Sequence, residues 1–487
     1  TSPADSAKRA ELARLLTSMD ARYGKAKVCG VRGEKGCLTL EQASAILATS
    51  RDYEKLLDVW KRWRDNFPAS RAEYARFVEL ANEGARELGF SDLSEVWNGR
   101  YDMTPVEFEA EVDRLWKQVE PLYRQLHCYV RARLAERYGA DKVPEGKPIP
   151  AHLLGNMWAQ EWGNLFDLVA PLPGVSADLD EIIEQAGLDA VGMVKIAERF
   201  FTSLGMEPLP ATFWKRSMFV RPRDREVVCH ASAWDIDQYT DVRIKMCINP
   251  TEQDLVTIHH ELGHVYYYLA YRNQDVLFRG GANDGFHEAL GDLMALSVTP
   301  EYLERIGLVQ DAKTIELNFL MKRALDKVAF LPWGLLVDKW RWGVFRGEIP
   351  PARYNEAWWQ LRRTLQGIDA PVTRTAMDFD PGAKYHIPSN TPYMRYFLAD
   401  ILQFQFHRAL CRAAGHTGPL YACSIYENKK VGERLRRMMA MGASRPWQDA
   451  LEALTGERRM DASAIIEYFE PLVKWLEKRN AGRKCGW

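Results

Sequence analysis

The chain has 487 residues, of which 47% are hydrophobic and 11% aromatic, as expected for a globular protein with a sizeable core. Its 65 basic and 66 acidic residues leave a formal charge of −1, so the overall charge would not recruit nucleic acid or an anionic membrane surface. No apolar run approaches the roughly 18 residues of a membrane span, and the polar first residues do not resemble a signal peptide.

Helical periodicity dominates the chain. We expect amphipathic helices over residues 5–21, 40–65, 70–88, 105–138, 178–204, 251–272, 285–298, 312–345, 354–366, 393–413, 430–442 and 461–480. Two alternating stretches, Arg225–His230 and Asp241–Ile248, predict a short antiparallel strand pair. Because no linker or repeat stands out, we predict a mostly α fold with one domain over residues 1–487, divided into two lobes around a deep central cleft.

The eight cysteines favour an oxidising compartment with structural disulfides over the alternative of buried free thiols. CxxC spacing, which would indicate a metal or redox site, is absent. Three pairs lie close in sequence, and we expect these to form structural disulfides: Cys29–Cys37, Cys229–Cys247 and Cys411–Cys423. Cys128 and Cys485 remain without an assigned partner, and the pattern predicts a secreted or periplasmic protein.

The segment His260-Glu261-Leu262-Gly263-His264 fits the pattern H-E-x-x-H. Residues four apart lie on one face of a helix, so both imidazoles can bind one metal ion while Glu261 faces a bound water. The flanking apolar residues would bury this helix: Leu255, Ile258, Leu262, Val265 and Leu269. The alternative is a pair of core histidines that hydrogen-bond to their neighbours.

The next predicted helix supplies a third ligand. Glu288 lies 24 residues after His264, and a helix that folds back antiparallel would bring its carboxylate to the ion. Two histidines, one glutamate and an open fourth position make up a catalytic zinc site. Asp292, one turn further, would orient a ligand imidazole; its alternative role is a solvated helix charge.

Several motifs in this order resemble the angiotensin-converting enzyme family of zinc dipeptidyl carboxypeptidases. The motifs are HHELGH, GFHEALGD, NMWAQ, VVCHASAWD, FDPGAKYHIP and PYMRYF. The resemblance runs from about Val28 to the C-terminus. It implies hydrolysis of peptides from their free carboxyl end, with Glu261 as the general base and acid and without a covalent intermediate.

The resemblance also implies roles for residues that the pattern alone would leave in the core. Tyr396 would donate a hydrogen bond to the oxyanion of the reaction. His386 and His230 would contact the peptide carbonyl groups, and Ala231 and Ala233 would offer backbone groups to an extended peptide. From the sequence alone, His230 is better interpreted as a core histidine.

The family members that remove dipeptides anchor the terminal carboxylate with a glutamine, a lysine and a tyrosine. Gln160, Lys384 and Tyr393 match this set, and one cation with two neutral donors can hold a carboxylate. A related branch that removes single residues has an arginine in place of the glutamine. The resemblance therefore predicts the release of C-terminal dipeptides.

Chloride dependence is a further property that the resemblance implies. Tyr101 and Arg395 match one chloride site, and a second site is matched by Arg64, Trp158, Trp358 and Arg362. A buried arginine without a carboxylate needs an anion, which supports this assignment. The alternative is that each arginine pairs with a nearby aspartate or glutamate.

The sequence departs from the family in two places. The chain begins within the family pattern, so the helices that cover the cleft mouth are expected to be short or absent. Thr257 and Asp400 stand where well-known members often have apolar residues, and a more polar pocket would favour a basic C-terminal residue. Asp400 would otherwise face solvent.

Two other functions compete with this prediction. A single-residue carboxypeptidase is disfavoured by Gln160. A catalytically inactive, peptide-binding relative would lack a ligand or the base, whereas all of these residues are present. No motif supplies the acidic anchor that an aminopeptidase would need.

Overall fold

The computed structural model describes residues 1–174, 179–225, 227, 229–308 and 316–487. The helices in chain order are α1 (Ser6–Lys25), α2 (Leu40–Thr49), α3 (Tyr53–Arg64), α4 (Ser70–Glu87), α5 (Leu93–Asn98), α6 (Pro105–Tyr138), α7 (Phe166–Val169), α8 (Leu179–Gln185), α9 (Ala190–Ser203), α10 (Ala211–Arg216), α11 (Glu252–Tyr271), α12 (Asp284–Leu296), α13 (Pro300–Arg305), α14 (Glu316–Phe345), α15 (Tyr354–Leu361), α16 (Met394–Ala413), α17 (Lys429–Met439), α18 (Trp447–Thr455), α19 (Ser463–Tyr468) and α20 (Glu470–Asn480). The mostly α fold is confirmed.

The long helices follow their sequence signals. Helix α6 begins with a capping box between Thr104 and Glu107 and has Pro105 in its first turn, where proline and a capping box are both favoured. The predicted helix over 40–65 is wrong because the chain breaks before Asp52, whose side chain caps α3. The helix over 178–204 likewise breaks, at Gly187 (φ 64°). Residues 178 and 312–315 of the predicted helices lie outside the described residues.

Other boundaries also differ from the prediction. The predicted helix over 461–480 is two helices, α19 and α20, and the one over 354–366 ends as a π-helical turn at Arg362–Gln366. The short helices α5, α7, α10 and α13, together with α18, were not predicted. Four of these five have only four to six residues, which is too short for a periodic pattern to stand out.

The strands are short: β1 (Val28–Cys29), β2 (Cys37–Leu38), β3 (Ile149–Pro150), β4 (Ser232–Asp235), β5 (Val242–Lys245) and β6 (Ile368–Asp369). Strands β4 and β5 form the predicted antiparallel pair, but the first strand lies later than expected. Residues 225, 227, 229 and 230 are not in a strand, and 226 and 228 lie outside the described residues. Asp237 accepts backbone hydrogen bonds from Tyr239, Thr240 and Asp241, and this turn sets the register to begin at Asp235.

All eight cysteines form disulfides. The three predicted pairs are present, and a fourth bond joins Cys128 to Cys485 across 357 residues. Four structural disulfides indicate an oxidising environment. Among the helices in the described ranges, none has both the length and the apolar character that crossing a membrane requires.

The chain forms two compact units. Unit 1 comprises Thr1–Pro173, Met321–Met394 and Pro471–Trp487; unit 2 comprises Gly174–Leu320 and Arg395–Glu470. Unit 1 has an aromatic core in which Tyr74, Trp340 and Phe379 pack together. Unit 2 is built on α11 and α12, and α9 covers α11 through the stacked rings of Phe201 and Tyr266.

Candidate metal centre

The two histidines of the H-E-x-x-H pattern face one point on α11. Their Nε2 atoms are 3.0 Å apart. Oε2 of Glu288, on α12, lies 3.7 Å from Nε2 of His260 and 3.9 Å from Nε2 of His264. The structure therefore brings together the three predicted metal ligands, from two helices.

The hydrogen-bond partners of these imidazoles indicate that a cation fits between them. Nδ1 of His260 is 3.1 Å from a carboxylate oxygen of Asp292, which can only accept, so Nδ1 carries a hydrogen. Two Nε2 atoms at 3.0 Å must share a proton or bind a common cation, and two imidazoles with a carboxylate are a donor set that zinc prefers. In the protein without metal, burial lowers the pKa of His260, but the hydrogen bond and charge of Asp292 outweigh it and raise the pKa to about 9.

Glu261 lies beside the ligands on the same helix and is only 6% exposed. Burial raises the pKa of its carboxyl group, the charge of His260 opposes this rise, and the charge of Glu288 adds to it. A carboxylate whose pKa is raised is a stronger base than one in water. The third histidine of the segment, His259, is a core residue: its Nδ1 lies 2.8 Å from the Leu255 carbonyl oxygen.

Helices α11 and α12 cross at two glycines. A Cβ on Gly263 would lie 2.8 Å from Cα of Gly291, and a Cβ on Gly291 would lie 2.8 Å from Nδ1 of His260. The contacts of His260 with Asp292 and of His264 with Glu288 run in opposite directions along the two helices, so the predicted antiparallel arrangement is present. The absence of side chains at the crossing allows Glu288 to approach both imidazoles.

The three residues predicted to anchor a carboxylate lie together in unit 1. Nζ of Lys384 donates to Oε1 of Gln160 at 2.6 Å and lies 5.4 Å from the ring centre of Tyr393. The Tyr393 hydroxyl accepts a hydrogen bond of 3.0 Å from Nε1 of Trp333. Burial lowers the pKa of Lys384 to about 8, partly offset by the charge of Glu161.

His386 stands on the same loop as Lys384 and Tyr393. Its ring packs edge-on against Tyr393 at 4.7 Å, and its backbone carbonyl accepts a hydrogen bond of 2.9 Å from Nη1 of Arg341. The backbone N–H groups of Tyr393 and Met394 donate to Oδ2 of Asp338 at 2.8 and 2.6 Å. A buried charged pair on α14, Asp338 with Arg341, therefore holds both ends of this loop.

Comparison with known proteins decides the family. The family model described as angiotensin-converting enzyme matches residues 1–487. The chain is 49% identical to the angiotensin-converting enzyme of Rattus norvegicus over 484 residues and 44% identical to that of Theromyzon tessulatum over 479 residues. The chain belongs to the angiotensin-converting enzyme family. The resemblance predicted from the motifs is confirmed.

The relatives differ in length from this chain. The alignments cover 97% of the chain but only 37% of the Rattus norvegicus angiotensin-converting enzyme, against 96% of the chain and 77% of the Theromyzon tessulatum protein. The chain thus spans well under half of its mammalian relative. The angiotensin-converting enzyme family is zinc-dependent, in agreement with the cluster of His260, His264 and Glu288.

A second group of potential ligands, His407, Cys411 and Cys423, lies close together in unit 2. Its two cysteines are joined in a disulfide, which removes the thiolates that a metal ion requires. This group is therefore structural.

Of the residues predicted to hold one chloride, Arg64 and Arg362 are buried cations, 3% and 1% exposed. Nη2 of Arg64 donates to the Met157 carbonyl at 2.9 Å, and Nη1 of Arg362 donates to the Trp158 carbonyl at 2.8 Å. Nε of both and Nη2 of Arg362 are buried without a hydrogen-bond partner among the described residues. Burial lowers the pKa of both guanidinium groups to about 9.

The two tryptophans predicted for this chloride site also contact other residues. The indole N–H of Trp158 donates to the Ala383 carbonyl at 2.7 Å, and Trp358 packs edge-on between Trp333 and Trp340. At the other predicted chloride site, Arg395 forms an ion pair with Asp284, at 3.3 Å. Its predicted partner Tyr101 is a buried residue of unit 1 that stacks on Phe108.

The residues predicted to contact the substrate backbone and the oxyanion lie in unit 2, apart from His386. His230 is exposed, so its interpretation as a core histidine is wrong. Ala231 and Ala233 are half-buried, and the Ala233 carbonyl accepts a hydrogen bond from Tyr268 at 3.5 Å. Tyr396 is half-buried at the start of α16, and burial together with the charge of Glu288 raises the pKa of its phenol.

Asp400 does not face solvent, because it is 2% exposed and accepts a hydrogen bond of 2.6 Å from Nε2 of Gln403. The same amide nitrogen donates to Oδ2 of Asp292 at 3.1 Å. Thr257 is half-buried, and its hydroxyl donates back to the Gln253 carbonyl. The alternative of a solvated Asp292 is also wrong, since it is held by both His260 and Gln403.

Two residues next to the predicted ligands were not predicted from the sequence. Nδ1 of His287 lies 2.9 Å from Nδ1 of His264, and its Nε2 lies 3.1 Å from the Tyr271 hydroxyl. Gln403 supports Asp292. His287 directly precedes Glu288, and this adjacency is a signal that points to the site; Gln403 lies on a distant helix and leaves no local signal.

Replacing Gly291 by alanine is expected to displace the His260 imidazole and to lower zinc affinity by roughly 10- to 100-fold, as for loss of an outer hydrogen bond. Zinc affinity measured by competition with a chelator checks this. Gly280→Ala serves as the control, because a Cβ there would meet nothing within 4 Å. Equal zinc affinity in both variants and in the unmodified protein would contradict the role of the close crossing.

Proposed function

We propose that the chain is a zinc peptidyl-dipeptidase that releases dipeptides from the carboxyl end of oligopeptides. The observation that carries this proposal is the convergence of two imidazoles and one carboxylate, with all ligand atoms within 4.8 Å of one another. Glu261 lies in the same turn of helix, and the match to the angiotensin-converting enzyme family spans the whole chain.

His260, His264 and Glu288 would hold the zinc ion, and Asp292 and Gln403 would orient His260. When bound, zinc supplies a Lewis acid that lowers the pKa of a water molecule from about 15.7 to near 7. Glu261 accepts a proton from the attacking water and delivers it to the leaving amine. Its burial supports this role, because a raised pKa suits a group that both takes and returns a proton near neutral pH.

Other side chains act on the substrate. The Tyr396 phenol, kept protonated by its raised pKa, donates a hydrogen bond to the developing oxyanion. His386 and His230 contact peptide carbonyl groups, and the backbone at Ala231 and Ala233 aligns an extended peptide. Because the family model matches residues 1–487, we propose that the chain constitutes one peptidase domain.

Dipeptide release follows from the carboxylate anchor. Lys384 supplies the cation, and Gln160 and Tyr393 supply neutral donors. In this structure Lys384 donates to the Gln160 oxygen, so a substrate carboxylate would take over that donor. Gln160, rather than an arginine, supports the longer pocket that accepts two residues.

The test is mass spectrometry of the products from a panel of N-terminally blocked peptides of three to eight residues. Successive loss of two residues from the carboxyl end is expected. Loss of one residue at a time would favour the single-residue carboxypeptidase. Stoichiometric zinc without cleavage of any peptide would favour the inactive peptide-binding relative.

The anchor predicts a pH dependence of substrate binding. Burial lowers the pKa of Lys384 to about 8, so the cation is present below this pH and is lost as pH rises through it. KM is therefore expected to increase above about pH 8 while kcat changes less. Steady-state kinetics from pH 6 to 10 check this, with Lys384→Arg as the control that keeps its charge. An identical rise of KM in Lys384→Arg would contradict the assignment.

We also propose a chloride ion at Arg64 and Arg362. Two buried guanidinium groups with unpaired N–H donors need an anion, and no described ion pair includes either residue. Trp158 and Trp358 would line this site. Chloride is expected to raise the free energy of unfolding by about 1.4 kcal/mol for each tenfold excess over its Kd.

Thermal unfolding in sodium chloride and in sodium gluconate of equal ionic strength measures this stabilisation. Arg362→Met should lose most of the chloride response. Arg363→Met should keep it, because Arg363 is partly exposed and pairs with Asp369 at 2.9 Å. A response that is the same in both variants would rule out this site.

We propose that the protein is secreted or periplasmic. The four disulfides support an oxidising compartment. Its partners would be oligopeptides with a free carboxyl terminus.

A further inference from the structure

An ion pair joins the first turns of the helices that carry Glu288 and Tyr396. Asp284 is the first residue of α12, and Arg395 is the second residue of α16. Nη2 of Arg395 lies 3.3 Å from Oδ2 of Asp284, and the two side chains are only 25% and 18% exposed. A charge pair that is largely shielded from water is stronger than one on the surface.

This ion pair does not fit the chloride that the family resemblance predicts at Arg395. An anion on the same guanidinium group would face the Asp284 carboxylate, and like charges at such distances repel. The Nε–H of Arg395 is buried without a partner in the described part of the chain, but the guanidinium group already has the Asp284 carboxylate as its counter-ion. Arg64 and Arg362 differ, because neither forms an ion pair with a carboxylate among the described residues.

The same place is tightly packed. A Cβ on Gly285 would lie 3.0 Å from Cβ of Leu398 and 3.5 Å from the Arg395 carbonyl oxygen. The start of α12 therefore lies directly against the first turns of α16. A change in the contact between Asp284 and Arg395 would shift Tyr396, the next residue, relative to Glu288.

We propose that Asp284 is a built-in counter-ion that takes the place of an exchangeable chloride at Arg395 and positions Tyr396 relative to Glu288. Asp284 is a positioning residue, since it acts through Arg395 and α16. Its effect on turnover rests on the proposed peptidase function. The replacement of chloride by Asp284 does not depend on that function. A measurement of protein stability can therefore test it separately.

The test compares Asp284→Ala with Asp284→Asn in zinc-loaded protein. In sodium gluconate, both variants should lose kcat by roughly 10- to 100-fold, the size expected for a misplaced catalytic group. Sodium chloride or sodium formate at equal ionic strength should restore kcat in Asp284→Ala, where the deleted carboxylate leaves space for the anion. Asp284→Asn should not recover, because the amide fills that space without supplying charge.

The second readout is the thermal unfolding temperature in the same three salts. Asp284→Ala should gain a stabilisation by chloride and formate beyond that of the unmodified protein, and Asp284→Asn should not. The unmodified protein could cleave no peptide while Asp284→Ala still gains stability from chloride and formate. That result would contradict the proposed peptidase function but support Asp284 as the counter-ion of Arg395. Equal anion responses of the unmodified protein and Asp284→Ala in both readouts would overturn the proposal.

Discussion

Replacing Glu261 by glutamine is expected to lower kcat by about 10²- to 10⁴-fold, the usual contribution of a positioned general base. Glutamine keeps the size and hydrogen-bonding shape of the side chain but cannot accept a proton at neutral pH. Because Glu261 is 6% exposed and shares its helix with His260 and His264, the substitution leaves the metal ligands in place. Steady-state kinetics on a blocked tripeptide measure the loss.

Zinc content separates this effect from loss of the metal. Glu261→Gln should bind one zinc per chain like the unmodified protein, whereas a variant that merely unfolds the site would lose it. Glu252→Gln, in the first turn of the same helix, is the matched control and should keep its activity. A Glu261→Gln variant that retains more than about a tenth of kcat would exclude Glu261 as the base.

The second large effect is expected at Arg341, in the buried pair that holds the loop of His386 and Tyr393. Arg341→Met should lower the free energy of unfolding by about 3–5 kcal/mol, because it leaves the Asp338 carboxylate buried without its counter-ion. Arg341 is 0% exposed and Asp338 is 1% exposed, and Nε of Arg341 donates to Oδ1 of Asp338 at 2.8 Å. The loop also loses the hydrogen bond to the His386 carbonyl, so KM should rise.

Denaturant unfolding of three variants checks this expectation. Arg341→Met/Asp338→Asn should be more stable than Arg341→Met alone, since both charges are then removed. Arg346→Met, at the residue that follows the end of α14, should cost less than about 1 kcal/mol because its ion pair with Glu109 is partly exposed. Similar losses in Arg341→Met and Arg346→Met would show that the buried pair does not stabilise the fold as described.

The metal ligands could be predicted because their geometry is local. Helical periodicity puts His260 and His264 on one face of any helix that contains them, and Glu288 follows after a turn rich in glycine. The carboxylate anchor was reached through family motifs, since Gln160 and Lys384 are 224 residues apart and no periodic pattern connects them.

What could not be predicted depends on packing between distant elements. In the sequence, nothing distinguishes Gly263 and Gly291 from other glycines in helices. Their role appears only in the structure, where α11 and α12 cross. Asp338 and Arg341, three residues apart, have the spacing of an exposed helix pair, and their burial follows only from the elements around α14. The bond between Cys128 and Cys485 likewise depends on where the last residues pack.

The predicted ends of strands and helices were wrong for a more local reason. The side chains of Asp52 and Asp237 form hydrogen bonds with nearby backbone N–H groups, and these compete with regular structure. Such a bond shortened the predicted helix over 40–65 and moved the first strand of the β4–β5 pair. These hydrogen bonds cannot be predicted from a periodic pattern of apolar residues.

X-ray absorption at the zinc edge of the purified protein tests the central claim most directly. One zinc ion per chain is expected, with two imidazole nitrogens at about 2.0–2.1 Å and oxygen ligands completing the coordination. Sulfur in the first coordination shell, or zinc that keeps the same spectrum and stoichiometry in His264→Ala, would contradict the site formed by His260, His264 and Glu288.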